Sequence, residues 1–459
     1  MEPNNIRFGG GSPITVLHPL VAVATVIAIV LILCLPRKYV IVPALLALFL
    51  IPKEQVIVFA GLHFNVYRII ILAGLARWAA SRRSSSLAGG FNSMDRTVTF
   101  LTLSYLIIYS LQWMDTQAVV KSIGDCLDAL GSYFVLRFLI QDREDVRRTI
   151  KVLATVAIVN AISMLNEQRV GENYFLLLSE NSKDAVRDGR IRSQGSFEIF
   201  ITAGTFGGTL PALFVWLWSD GKAKIISFLG LVAAAIMTVT CFASTTLIAY
   251  AAGIAGLCFW PIRKQMRVVR WGIVAMIVGL HLVMHGPVWS LMEHIDLTGS
   301  SSGYHRYMLV DSFIRHFGDW WLLGTHNNGS WGWEMWDTSN QYVSYGLSGG
   351  LLTFLLFISV IYTGFASLGT ARKVAEGNRS QEWFLWCVGA ALFSHVVAYF
   401  GIAYFDQVLF AWSALLAIIS VAVFEATSSV VPQVQEALAP NYRVHAANGW
   451  SMQKTKPMR

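Results

Sequence analysis

The residues best suited to chemistry lie in two stretches of a chain that is otherwise poor in charge. The first is Arg190-Ile191-Arg192-Ser193-Gln194-Gly195, where two arginines alternate ahead of a glycine. The second starts at Tyr304-His305-Arg306-Tyr307, passes through His326-Asn327-Asn328 and ends at Asp337-Thr338-Ser339-Asn340. Arginine offers a planar fork of donors that stays charged and pairs with phosphate through two bonds at once. Arg306 falls in the first turn of a helix expected over 302–317, capped by Ser302, where the helix dipole disfavours a cation. An anion bound there accounts for it, since helix N-termini favour phosphate. The plainer alternative is an arginine that extends its charge to lipid headgroups and holds no ligand.

The elements that carry these residues must be membrane-spanning helices. Of 459 residues, 55% are hydrophobic and only 14% charged, against about 25% charged in soluble domains. A bilayer core takes about 20 apolar residues per helix, and backbone groups in lipid must be satisfied within each helix. Apolar runs fall at 14–35, 39–51, 66–80, 98–113, 118–140, 149–165, 197–218, 225–240, 244–260, 271–284, 342–365, 383–404 and 408–424. The expected fold is all-α, a polytopic transmembrane bundle of about 12–13 helices over 1–425. A long outer loop, 286–341, carries amphipathic helices, and 426–459 form a polar cytoplasmic tail. The stretch 14–35 lacks a basic leader and a small-residue cleavage site, so it reads as a retained helix rather than a signal peptide.

Charge placement orients the bundle. The net charge is +8, carried by Arg37, Lys38, Lys222, Lys224 and the connectors 77–96, 143–151, 263–270 and 372–379, which alternate onto one side. That is the pattern of cytoplasmic loops facing anionic lipid, not of a nucleic-acid partner. The loop 166–196 breaks the rule: on the outer side it holds Arg169, Lys183, Arg187, Arg190 and Arg192, which suits an anionic ligand. The five cysteines show no CxxC spacing, so neither a disulfide nor a metal site is expected. Within the apolar runs, Lys121 and Asp125 are spaced to pair along a helix beside Asp128. That group reads as a structural ion pair, with a proton relay as the alternative. His281, His395 and Asp406 read as interhelical hydrogen-bonding groups. Trp320, Trp321, Trp331, Trp333 and Trp336 suit either an interfacial belt or stacking on sugar rings.

Tyr307, Val310, Ile314 and Phe317 mark the apolar stripe expected for the outer helix. Beyond it come a Leu322-Leu323-Gly324 turn, the polar cluster from His326 to Asn340, and a helix opening on Gly346-Leu347-Ser348-Gly349. With the arginine-and-glycine entry at 190–197, this order resembles the O-antigen ligase and O-antigen polymerase superfamily over about 190–365. Ala243-Ser244-Thr245-Thr246 stands where that family often has Ser-Arg-Gly, without the arginine.

The resemblance implies a type C glycosyltransferase of the bacterial inner membrane. It would move glycan from undecaprenyl pyrophosphate to an acceptor hydroxyl at the periplasmic face. The acceptor is lipid A core in a ligase, a second lipid-linked repeat in a polymerase, or a protein. No metal or cofactor is called for. Arg192 and Arg306, with Arg190 in support, would hold the pyrophosphate. The family's histidine before the helix-opening asparagine is replaced here by Ser339 ahead of Asn340. The general base then falls to His326 or Asp337, with His305 next. Two readings from other classes remain: a polysaccharide transporter, and an assembly partner that has lost its base.

Overall fold

The computed structural model describes residues 15–59, 62–81, 87–178, 186–187, 189–294 and 302–428. Expectations resting on Lys183, on the side chains of Arg187 and Ser302, and on the tail past Ser428 lie outside the described residues.

Helices dominate. The first two, α1 (Pro19–Cys34) and α2 (Arg37–Leu50), lead into a hairpin of β1 (Val56–Phe59) and β2 (Leu62–Asn65), then α3 (Val66–Ala80). Next is α4 (Ser93–Trp113), which opens on a reciprocal cap between Asn92 and Asp95. α5 (Thr116–Cys126) runs through a π-turn over Leu127–Gly131 into α6 (Ser132–Leu139). The long α7 (Arg143–Val170) is capped by Asp142 and reaches into what the sequence suggested as the outer loop from 166. A short hairpin, β3 (Val186–Arg187) with β4 (Arg190–Ile191), precedes α8 (Phe200–Thr209) and α9 (Pro211–Ser219). The expected span at 197–218 is present as one helical stretch, Phe200–Ser219, whose hydrogen-bond ladder is interrupted at Pro211, which has no N–H to continue it. Then come α10 (Lys224–Thr240), α11 (Ser244–Cys258), α12 (Met266–Val283), α13 (Ser302–Arg315) and α14 (Phe317–Trp320). The last three are α15 (Gln341–Val374), α16 (Arg379–Ala398) and α17 (Gln407–Ser428).

Among the described residues, five helical stretches are long and apolar enough to cross a membrane: Arg143–Val170, Phe200–Ser219, Trp260–Val283, Gln341–Val374 and Gln407–Ser428. Pro19–Cys34, Lys224–Thr240 and Ser244–Cys258 are apolar but shorter. α17 is buried almost throughout and packs on α6, α8, α15 and α16, so it forms the centre of the bundle. α12 is the opposite case: it is apolar and none of its residues is buried.

The connectors gather at two chemically different ends. At one end the basic segments meet acidic ones from neighbouring connectors. Arg37 binds Asp145 at 2.7 Å, Arg147 binds Asp220 at 2.7 Å, and Arg263 binds Glu382 at 3.0 Å. Just inside this end Arg137 meets Asp95 at 3.1 Å, both side chains at 0% exposure. The Tyr133 hydroxyl donates to the same carboxylate at 2.6 Å. Ion pairs of this kind neutralise the basic loops, so the charge bias of the sequence becomes a set of bridges between helix ends. The other end carries both β-hairpins and the polar stretches singled out above.

At that second end α15 is broken. Asn340 caps it, accepting from the backbone N–H groups of Tyr342 (2.9 Å) and Val343 (3.2 Å). Gly350 then leaves the helical region at φ +65°, ψ −169°, a conformation essentially confined to glycine. The backbone groups released by the break are taken up by the Leu-Leu-Gly turn. Thr325 N donates to Leu347 O at 2.8 Å, and Leu351 N donates to Trp321 O at 2.8 Å. Gln112 Nε2 from α4 adds a third bond, to Leu347 O at 2.8 Å. Gly324 (φ +75°) lies so near Leu347 O that a Cβ there would collide with it, and a Cβ on Gly350 would meet Leu322 O. The two glycine motifs therefore serve one joint. Alanine at Gly350 should cost about 1–3 kcal/mol, lowering the thermal midpoint of the detergent-solubilised protein. Alanine at Gly369, also in α15 but with open space around its Cβ position, should hold the midpoint or raise it slightly.

Candidate functional site

A cavity of about 1450 Å³ opens at the end remote from the basic connectors. Its lining draws on the turn after α2, the starts of α3, α5 and α15, the end of α4, the 192–201 segment, α13 and the 401–409 linker.

Arg192 reaches the cavity because α7 grips the segment around it. Glu167 accepts from the backbone N–H groups of Gln194 (3.1 Å) and Gly195 (3.3 Å), and Asn160 Oδ1 accepts from Ser196 N at 2.8 Å. Gln168 Nε2 donates to Ser193 Oγ at 2.9 Å and to Ile191 O. Gly195 sits at φ +60° against Asn160, where a side chain would collide. Held this way, the Arg192 guanidinium lies 4.7 Å from the centre of the Phe200 ring.

α13 carries His305 and Arg306 into the lining. The helix forms where expected, but the buried face differs from the predicted stripe. Leu309 and Phe313 are buried, whereas Ile314 and Phe317 are exposed. The cause is close packing on α15. Phe313 lies against Gly346, where even a Cβ would clash, and stacks on Trp320 with ring centres 3.9 Å apart. Trp320 Nε1 also donates to Phe313 O at 2.7 Å. Trp320 is thus part of a small core between α13 and α15, while Trp333, 85% exposed, is not.

Asp337 also lines the cavity, next to His305, Arg306 and Glu334. Burial pushes its carboxyl above the ordinary aspartate range, while the neighbouring His305 and Arg306 pull it back. His305 Nε2 is 3.0 Å from Glu334 O. So Arg192, His305, Arg306 and Asp337, distant in sequence, share one cavity. Three other candidates are placed differently. His326 does not line the cavity; its ring stacks on Trp113 with centres 4.3 Å apart. Asn340 caps α15 and donates to Phe400 O at 3.2 Å. Arg190, in β4, lies over the Phe242 ring at 5.4 Å, outside the lining.

Several lining residues carried no signal in the sequence. Arg68 grips Asp128 through two bonds, Nε to Oδ1 at 2.9 Å and Nη2 to Oδ2 at 2.8 Å. Lys53 Nζ meets Glu198 Oε2 at 2.5 Å. The expected pair of Lys121 and Asp125 is present at 2.6 Å, and Tyr105 donates to the same carboxylate at 2.7 Å. His395, expected to bond between helices, instead lies 2.7 Å from the hydroxyl of Tyr404, on the linker that follows its own helix. Asp406 proves to be a linker residue in the cavity wall, accepting from Glu198 N at 3.0 Å. Lys53 and Arg68 stand alone at segment ends, where a single basic residue has many ordinary uses.

The fold and site define a predominantly helical protein, with helices long and apolar enough to cross a membrane, that builds a charged cavity at one end. Compared with known protein families and with curated proteins, the sequence matches none.

Burial raises Asp406 to about 7; the Lys53 ammonium opposes the shift and the Glu198 carboxylate adds to it. An unfolded aspartate titrates near 3.9. Between these values the folded chain holds a proton that the unfolded chain releases, so stability falls as pH rises from about 4 to about 7. Asn in place of Asp406 removes this contribution. Thermal midpoints measured across that window should decline more steeply for the wild type than for Asp406→Asn.

Proposed function

We propose that this protein is an O-antigen ligase-like glycosyltransferase of a bacterial inner membrane. In this reading the cavity end faces the periplasm and the ion-paired basic end faces the cytoplasm, as positively charged loops favour. The substrate is a glycan carried on undecaprenyl pyrophosphate. The observation that carries the reading is the convergence of Arg192, His305, Arg306 and Asp337 on one cavity. It supports a site with fixed cations for a leaving pyrophosphate and a carboxylate for a hydroxyl proton.

In the reaction, the acceptor oxygen attacks the anomeric carbon and the bond from that carbon to the pyrophosphate oxygen breaks. The electron pair leaves with the lipid pyrophosphate, whose charge Arg192 and Arg306 stabilise. The hydroxyl proton passes to Asp337. Burial makes this carboxylate a stronger base than an exposed aspartate. His326, stacked on Trp113 outside the lining, is left without a role in the step. The acceptor is lipid A core or another glycan, the latter making the enzyme a polymerase of the same chemistry. A transporter is less well supported, because transporters place ligand groups near the midplane on broken helices, whereas this lining gathers at one end.

Arg192→Ala and Arg306→Ala should each abolish transfer in membranes that retain normal protein levels, and lysine should restore it only in part. Asp337→Asn should reduce turnover about 10²–10⁴-fold, while His326→Ala stays within a few-fold of wild type. Transfer assays with a lipid-linked donor read these directly. Full activity in both arginine-to-alanine variants would remove the anion site from these residues.

A further inference from the structure

A second part of the cavity lining has chemistry that the anion site does not use. Asp406 stands on the linker between α16 and α17 with φ +61°, and is 6% exposed. Its Oδ2 accepts from Glu198 N at 3.0 Å. Its Oδ1 is buried with no hydrogen-bond partner in the protein. Buried carboxylate oxygens are normally matched by donors, so an unmatched one in a cavity wall is suited to a donor on a ligand. Beside it, Lys53 is bonded through one of its three N–H groups to Glu198 at 2.5 Å. Its ammonium also lies 5.4 Å from the centre of the Phe405 ring. Tyr67 and Phe405 add aromatic surface to this part of the lining.

The charge balance selects the ligand class. Lys53 is paired with Glu198, Arg68 with Asp128 and Lys121 with Asp125. Asp406 adds a further carboxyl to those three pairs. An anion such as phosphate gains nothing from such a surface, where each cation already has a carboxylate partner. An uncharged polyhydroxyl ligand fits it well. Each sugar hydroxyl both donates and accepts, and the C–H face of a sugar ring packs against an aromatic ring.

We propose that Asp406, Glu198 and Lys53 form a sugar subsite in which Asp406 Oδ1 accepts a hydroxyl proton in a hydrogen bond and Lys53 donates to a neighbouring hydroxyl. The subsite rests on the reading of the cavity as a glycan-handling site, and it separates sugar recognition from pyrophosphate binding at Arg192 and Arg306.

The test uses the full-length protein in lipid nanodiscs and two ligands that require no turnover. Glucose, galactose and N-acetylglucosamine are followed by saturation-transfer difference NMR, and inorganic pyrophosphate by ³¹P line broadening. At least one sugar should bind the wild type. Asp406→Asn, which replaces the accepting oxygen with a donor, should weaken that binding about tenfold, the worth of one hydrogen bond. Pyrophosphate broadening should stay unchanged in this variant. Arg306→Ala should show the reverse pattern. If Asp406→Asn fails to fold by its melting profile, Glu198→Gln is read in its place, with the same weakening expected. No sugar binding in the wild type, or undiminished binding in the variant, would overturn the subsite. If Asp406→Asn abolishes sugar binding while pyrophosphate binds neither protein, the subsite stands and the anion site fails instead.

Discussion

The site depends on the joint at the break in α15. A helix that stops hydrogen-bonding in mid-course exposes backbone groups, and at membrane depth these are tolerated only when protein covers them. Here the Leu322-Leu323-Gly324 turn covers them, exchanging bonds at Thr325 N with Leu347 O and at Leu351 N with Trp321 O. The turn cannot come closer or lie elsewhere, because both contact points are glycines with no room for a Cβ. Pinning the turn pins what lies on either side of it. Upstream, α13 is drawn onto α15 through Phe313 and Trp320, which sets His305 and Arg306 into the cavity. Downstream, the 334–340 segment must return to the Asn340 cap, which sets Asp337 beside them.

The two ends of the bundle divide the labour of charge. At one, arginines are spent on acidic partners from neighbouring connectors, and the Arg137–Asp95 pair is sealed completely. Removing one member of such a pair strands the other, so this end is a structural lock. At the other end, charges line an open volume in which a ligand can reach them. Within that volume, the His305, Arg306 and Asp337 group and the Lys53, Glu198 and Asp406 group differ in what they favour. The first brings cations to an anion; the second offers paired charges and an unmatched carboxylate oxygen.

Much of this was legible from the sequence. The helical class, the one-sided basic connectors and the existence of α13 are set by composition and period, and these survive any detail of packing. Arg192 stood out in an arginine-rich loop and Arg306 in the first turn of a helix, while Asp337 came into view only through the family resemblance, as a stand-in for the missing histidine. Other features were not legible. Which face of α13 is buried depends on the close approach allowed by Gly346, a partner that periodicity within one helix cannot see. His326 has the right chemistry for a base, yet a polar residue in a loop carries no mark of whether it faces a cavity or, as here, lies flat on Trp113. Lys53, Arg68 and Glu198 are brought together only by tertiary packing, from three separate segments. The two glycine motifs were visible, but their mutual approach was not.

In the proposed reaction, Arg192 and Arg306 hold one pyrophosphate at the end of the bundle remote from the basic connectors. The most direct measurement is a structure of the protein in nanodiscs with undecaprenyl pyrophosphate bound. Density for both phosphorus atoms is expected in the cavity, within bonding reach of the Arg192 and Arg306 guanidinium groups. Pyrophosphate density among Arg37, Arg147 and Arg263 at the opposite end, with the cavity empty, would contradict it.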